Sequence, residues 1–111
     1  MGGFEVEKNE LLFYKLSFAS LIFIVYFIKI YVAHSRSFDF KKELYEPIRK
    51  NFLNNEHTFI LPHEHSEEPF NSKDYLKDEA DLVIAEVSEP STGLGIELGW
   101  ADAHQVLIIC I

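Results

Sequence analysis

Apolar residues run almost unbroken from Leu11 to Val32, and from Lys29 onward they fall into short runs separated by amphipathic stretches. Short apolar runs bounded by polar loops suit strands buried on both faces, and the amphipathic stretches between them suit the crossover helices that parallel strands require. The alternation predicts an α/β domain around a parallel sheet. "KIYVAH" (29 to 34) reads as the first strand, ended by the polar "HSRS". Asp39 then caps a helix through "DFKKELYEPIRKNFL", where Phe40, Leu44, Ile48 and Phe52 recur at four-residue spacing and Pro47 marks an irregularity. "HTFILP" (57 to 62) is a second strand stopped by Pro62, and "HEHSEEPFNS" is an acidic loop without apolar period. "SKDYLKDEA" (72 to 80) reads as a short helix capped by Ser72, leading into "DLVIAEV" (81 to 87), the strongest strand signal and the expected centre of the sheet. Helical spacing returns from Gly95 to His104, and "QVLIICI" (105 to 111) is a fourth strand.

The expected architecture over residues 29 to 111 is therefore a flavodoxin-like or Rossmann-like parallel sheet. It stops on an apolar strand with no covering helix after it, so the domain is expected to be C-terminally incomplete. Residues 1 to 28 form a second regime, expected as an apolar N-terminal helix. Leu11 to Ile28 gives 18 residues with one charge, Lys15, close to the roughly 20 needed to cross a bilayer. Two readings of it stay open. One is a membrane span, with Lys29, Arg36, Lys41 and Lys42 holding the C-terminal domain in the cytoplasm against a leader carrying Glu5, Glu7 and Glu10. The other is an extension or core helix attached to a soluble cytoplasmic domain that begins near Lys29. A secretory signal fits worse, because the leader has no basic start and no small-residue cleavage site.

Charge and cysteine content narrow the functions. Eighteen acidic against ten basic residues leave a net charge of −8, which argues against duplex nucleic acid as a partner and leaves nucleotide-sized ligands open. The single cysteine, Cys110, forms no internal disulfide and belongs to no zinc-binding spacing. "HEH" at His63 to His65 lacks a third ligand at suitable spacing, so no metal or other cofactor is called for.

In an open parallel sheet, ligands bind beyond the carboxyl ends of the strands where strand order reverses. If the first and third strands are neighbours, "HSRS" (34 to 37) and "SEPSTGLG" (88 to 95) face each other across that crevice. The second loop opens a helix whose amides and dipole, about half a positive charge, suit an anion. Gly93 and Gly95 would let backbone N–H groups approach phosphate or sugar oxygens, with hydroxyls from Ser91 and Thr92. Glu97 follows in what the pattern makes the first helical turn, either as a reactive carboxylate or as a cap of its own helix.

"ADLVIAEVSEPSTGLGIELGWA" (80 to 101), supported by "IYVAHSRS" (30 to 37), resembles the nucleoside 2-deoxyribosyltransferase family, including its branch of deoxynucleoside 5′-monophosphate N-glycosidases. The resemblance covers the chain from about Lys29 to its end. It implies that Glu97 attacks the anomeric carbon of a 2-deoxyribosyl group, forming a covalent glycosyl-enzyme and expelling the base. It implies a second carboxylic acid that protonates the base; Asp74 is the nearest candidate, one position away from the family register, with Asp78 and Asp81 as substitutes. Ser91 and Gly93 match positions that contact the 5′ end of the substrate, and Tyr31, His34, Ser35 and Arg36 form the other lip. Tyr31 presses on the sugar or base, or else is core; Arg36 offers a phosphate partner, or else is solvated. Glu86 contacts a ribosyl hydroxyl or merely ends its strand. The family also implies a homo-oligomer with shared sites. A non-catalytic nucleotide-binding module, tethered through residues 11 to 28, is the rival reading, and an incomplete product that folds poorly is a third.

Overall fold

The structure, a computed structural model, describes residues 27–111. The apolar segment from Leu11 lies outside the described residues except for Phe27 and Ile28. Among the described residues no helix is long and apolar enough to cross a membrane.

Four parallel strands form one sheet: β1 (Lys29–His34), β2 (Thr58–Ile60), β3 (Leu82–Glu86) and β4 (Leu107–Cys110). Their order is β2-β1-β3-β4, so β1 and β3 share the centre. β1 is buried from Ile30 to His34, the pattern of a parallel strand covered on both faces. Because side chains alternate along a strand, Ile30 and Val32 pack on one side with Phe40, Leu44, Tyr45, Phe59 and Leu61. Tyr31 and Ala33 pack on the other with Leu76, Val83, Ala85, Leu94 and Ala101. The sheet thus separates two apolar layers. β4 is an edge, and Leu107, Ile109 and Ile111 are exposed on it.

Three short helices complete the described chain: α1 (Glu46–Lys50), α2 (Ser72–Asp78) and α3 (Thr92–Ala103). The continuous helix expected after Asp39 is interrupted. A π-helical turn, Lys41–Tyr45, precedes α1, and a 3₁₀ turn, Phe52–Asn55, follows it. Pro47 has no N–H and its ring crowds the carbonyl four residues back, so the widened turn just ahead of it relieves that conflict. Asp39 does accept a bond from the Lys42 amide, at 3.4 Å.

Two helix starts differ from expectation, and both matter for the site. Asn71, not Ser72, caps α2, its side chain accepting from the Asp74 amide at 3.3 Å. The Ser72 hydroxyl is thereby released for other use. α3 begins at Thr92, earlier than the spacing suggested, because Ser91 Oγ accepts from the Leu94 amide at 3.2 Å and Leu94 and Ala101 are buried against the sheet. Packing overrides the poor helix propensity of three glycines. None of the glycines in α3 has a positive φ, and a Cβ at Gly93 would meet only Ser91 Oγ, at 3.9 Å. The fold alone does not require glycine at 93.

Candidate active site

The chain passes from β1 outward to β2 and returns across β1 to β3, so strand order reverses between the two central strands. Parallel pairing of Ile30 to His34 with Leu82 to Glu86 brings their carboxyl ends level, and the loops leaving them diverge there. A cleft of about 380 Å³ opens at this place, within the usual size range of small-molecule sites. β1 supplies His34 and the loop after it Arg36, the loop after β2 supplies His63 and Phe70, α2 supplies Ser72 and Lys73, and α3 with its cap Ser91 supplies Gly93, Glu97 and Trp100.

Glu97 is half-buried on the cleft wall. With α3 starting at Thr92, it stands in the second turn rather than the first, beyond the part of a helix where the dipole acts strongly. Nor does it cap the helix, since Ser91 does so. Its carboxylate is held by the phenol of Tyr31, which donates to Glu97 Oε2. Tyr31 is fully buried, with its ring against Phe70 and Tyr75 and its hydroxyl 2.6 Å from Ser72 Oγ. It is a core residue outside the cleft lining and reaches the cleft only through its bond to Glu97. Burial, then the charge of Glu97, pushes the Tyr31 pKa far above its ordinary value, so the phenol keeps its proton and acts as a permanent donor.

A second network lies beside it. His34 Nδ1 sits 2.7 Å from the Ser35 carbonyl; a carbonyl only accepts, so this nitrogen carries the proton. His34 Nε2 then accepts from the Tyr45 hydroxyl at 2.6 Å, and Tyr45 accepts from the His63 amide at 3.1 Å. Burial pushes Tyr45 up to about 12 and lowers both His34 and His63, the latter also through Arg36 and His34. Both histidines are therefore held neutral in the fold, whereas the unfolded chain takes up protons near pH 6.5. Their contribution to stability is complete above that pH and is lost as the pH falls through the lower folded values. Thermal melts should show a falling midpoint from pH 7 toward pH 5, with a shallower fall in His34→Gln.

The other expected residues divide. Ser91 and Gly93 line the cleft at the amide end of α3, ahead of the first intrahelical bond, which Gly95 makes to the Ser91 carbonyl at 3.0 Å. Gly95 is not in the lining, and its N–H is spent on that bond. Arg36 lines the cleft and is paired with Glu67 at 2.5 Å, which Lys41 also reaches at 3.3 Å. Ser35 is buried but stabilises its own turn, meeting Ser37 Oγ at 2.7 Å and accepting from the Ser37 amide at 3.0 Å. Glu86 accepts from the Ser88 amide at 2.6 Å.

Asp74 is not brought to the cleft. It is exposed, and its Oδ2 accepts from Asn71 Nδ2 at 2.9 Å, closing the start of α2. Asp78 is exposed further along the same helix, and Asp81 anchors the opposite end of the sheet by accepting from the Lys29 amide at 2.8 Å. The Asp74→Asn variant should accordingly retain any turnover to within about twofold, as surface substitutions do, when steady-state rates are compared with the parent protein. Among the described residues no group of three or more His, Cys, Asp or Glu side chains could hold a metal ion.

Sequence reading missed Phe70, Lys73 and Trp100 as lining residues and took Ser72 for a cap. Trp100 had a usable signal, since three positions beyond Glu97 on a helix is the same face. An isolated aromatic in an acidic loop, as Phe70 is, gave a weaker one.

No protein-family model matches the chain. Among curated proteins, a 2′-deoxynucleoside 5′-phosphate N-hydrolase 1 of Syntrophotalea carbinolica is 48% identical over 33 residues, 30% of this chain and 23% of the relative. A 5-hydroxymethyl-dUMP N-hydrolase of Branchiostoma floridae is 47% identical over 34 residues, 31% of this chain and 32% of the relative. The aligned stretches thus span about a quarter of the first relative's length and about a third of the second's.

Proposed function

We propose that this protein cleaves the N-glycosidic bond of a 2′-deoxynucleoside or its 5′-monophosphate, with Glu97 as the nucleophile. The observation that carries the reading is the place of Glu97: a carboxylate on the wall of the cleft at the point of strand reversal, with one oxygen bonded to a buried phenol. The names of the two partial relatives agree with it, as does the resemblance of residues 80 to 101.

Fixing Oε2 leaves Oε1 as the atom free to attack the anomeric carbon. As that bond forms, the C–N bond breaks and its electron pair leaves with the base, which takes up a proton from solvent water. A water molecule then attacks the same carbon from the face opposite Glu97, losing its proton to solvent, releasing deoxyribose or, from a monophosphate, deoxyribose 5-phosphate, and restoring the carboxylate. Two inversions give net retention, and two smaller barriers replace one large one. A second base in place of water would make the reaction a transfer; the N-hydrolase names of the relatives favour water. Ser91, Gly93 and Arg36 form the end suited to a 5′-phosphate, where unbonded helix amides and a guanidinium favour an anion. Gly93, which the fold does not need as glycine, gives such a group room. By the same resemblance, a second copy of the chain completes the site.

Non-catalytic nucleotide binding is the second reading, favoured by the position of Asp74 outside the cleft, which removes the expected proton donor. Incubating the full chain with deoxynucleosides and their 5′-monophosphates and chromatographing for free base separates the two. Base release, with a deoxyribosyl adduct on Glu97 by mass spectrometry, supports hydrolysis; ligand binding without release supports non-catalytic binding.

A further inference from the structure

We infer that Ser72 is a positioning residue for Glu97, acting through Tyr31. This rests on the reading of Glu97 as nucleophile. Three hydroxyl or carboxylate groups stand in a row, from α2, β1 and α3: Ser72 Oγ lies 2.6 Å from the Tyr31 hydroxyl, which in turn contacts Glu97 Oε2. The direction of the row follows from the inventory of protons. A carboxylate only accepts, so the single phenolic proton of Tyr31 goes to Glu97. The short contact with Ser72 can then exist only if Ser72 donates to the phenol oxygen. The serine has one other acceptor, the Phe70 carbonyl, at 3.4 Å, and the nearer oxygen takes the proton.

The serine is available for this because Asn71 holds the cap of α2. It is 6% exposed and lies on the cleft wall, a place where a hydroxyl without a partner is unfavourable. Donation into the phenol oxygen polarises the O–H that faces Glu97 and strengthens that second bond, as successive bonds in a chain do in low dielectric. Without Ser72 the phenol still donates to the carboxylate, but through a less polarised O–H; with it, the bond that orients the nucleophile is the stronger one. The row further ties α2, and the loop carrying His63 and Phe70 that precedes it, to the reacting carboxylate.

A double-mutant cycle tests this. Ser72→Ala should lower kcat for base release by about five- to twentyfold with KM nearly unchanged, as loss of orientation at the reacting group does. In a Tyr31→Phe background the same change should alter kcat by less than about twofold, because the serine no longer has a phenol to act on. Additive losses in the two backgrounds, or an effect confined to KM, would overturn the inference. If Ser72→Ala folds poorly, Ser72→Cys keeps the volume with a weaker donor and should show the same dependence on Tyr31. The equivalent cycle in denaturant unfolding should give a non-additive term of about fivefold in the folding equilibrium constant. That readout needs no turnover: were the wild-type chain to release no base, the proposed activity would fail while the unfolding cycle still decided the Ser72 relay, a zero coupling sinking it.

Discussion

Glu97→Gln is expected to abolish release of free base, lowering kcat by at least about a thousandfold, the scale seen when a nucleophile is removed from a site whose other parts remain. The amide has nearly the shape of the carboxylate, and its oxygen still accepts from Tyr31, so neither the packing of α3 nor the bond to β1 is lost. What disappears is the negative charge: the atom left facing the substrate becomes an amide nitrogen whose lone pair is delocalised into the carbonyl, so it does not form the glycosyl bond. Substrate affinity should change little, since Ser91, Gly93 and Arg36 are untouched, and no deoxyribosyl adduct should be found by mass spectrometry. Steady-state base release together with isothermal titration of a 5′-monophosphate measures both halves. Turnover within tenfold of the parent would remove Glu97 from the chemistry.

Tyr31→Phe should have the second largest effect, and on two properties together. Phenylalanine fills the same volume between Phe70 and Tyr75, so no cavity forms. Glu97 Oε2 and the buried Ser72 hydroxyl both lose a partner. A buried polar group left unsatisfied costs about 1–3 kcal/mol, which in a domain of this size lowers the melting midpoint by roughly 4–8 °C per kcal/mol. Turnover should fall by about ten- to a hundredfold with KM nearly unchanged, because the carboxylate keeps its charge and loses its orientation. A thermal melt and a kcat–KM comparison check this. Unchanged turnover at reduced stability would make Tyr31 a core residue alone.

The order of elements follows from run lengths and spacing, which are local. "KIYVAH" can bury five consecutive residues, Ile30 to His34, only as a strand covered on both sides, and its bounds agree with β1. "DLVIAEV" and "QVLIICI" are as direct, each trimmed at its ends. Helix starts depend less on local pattern. "PSTGLG" looks like a loop because glycine is a poor helix former, yet the Ser91 cap and burial of Leu94 and Ala101 extend α3 through it. Asp74 shows the same limit at finer scale. Each step along a helix turns the side chain by about 100°, so a one-residue uncertainty decides whether a carboxylate faces the cleft or solvent. Burial of Ser72 and Leu76 settles that rotation and leaves Asp74 outside.

From its residues alone, the chain establishes a parallel α/β sheet and a carboxylate just beyond an amide-rich turn at a strand's carboxyl end, since these depend on neighbours within a few positions. That Glu97 is held by Tyr31, and Tyr31 by Ser72, joins groups 66 and 41 residues apart. No pattern along a chain encodes such meetings; they arise when β1 and β3 pair in register and two helices pack on the same face of the sheet.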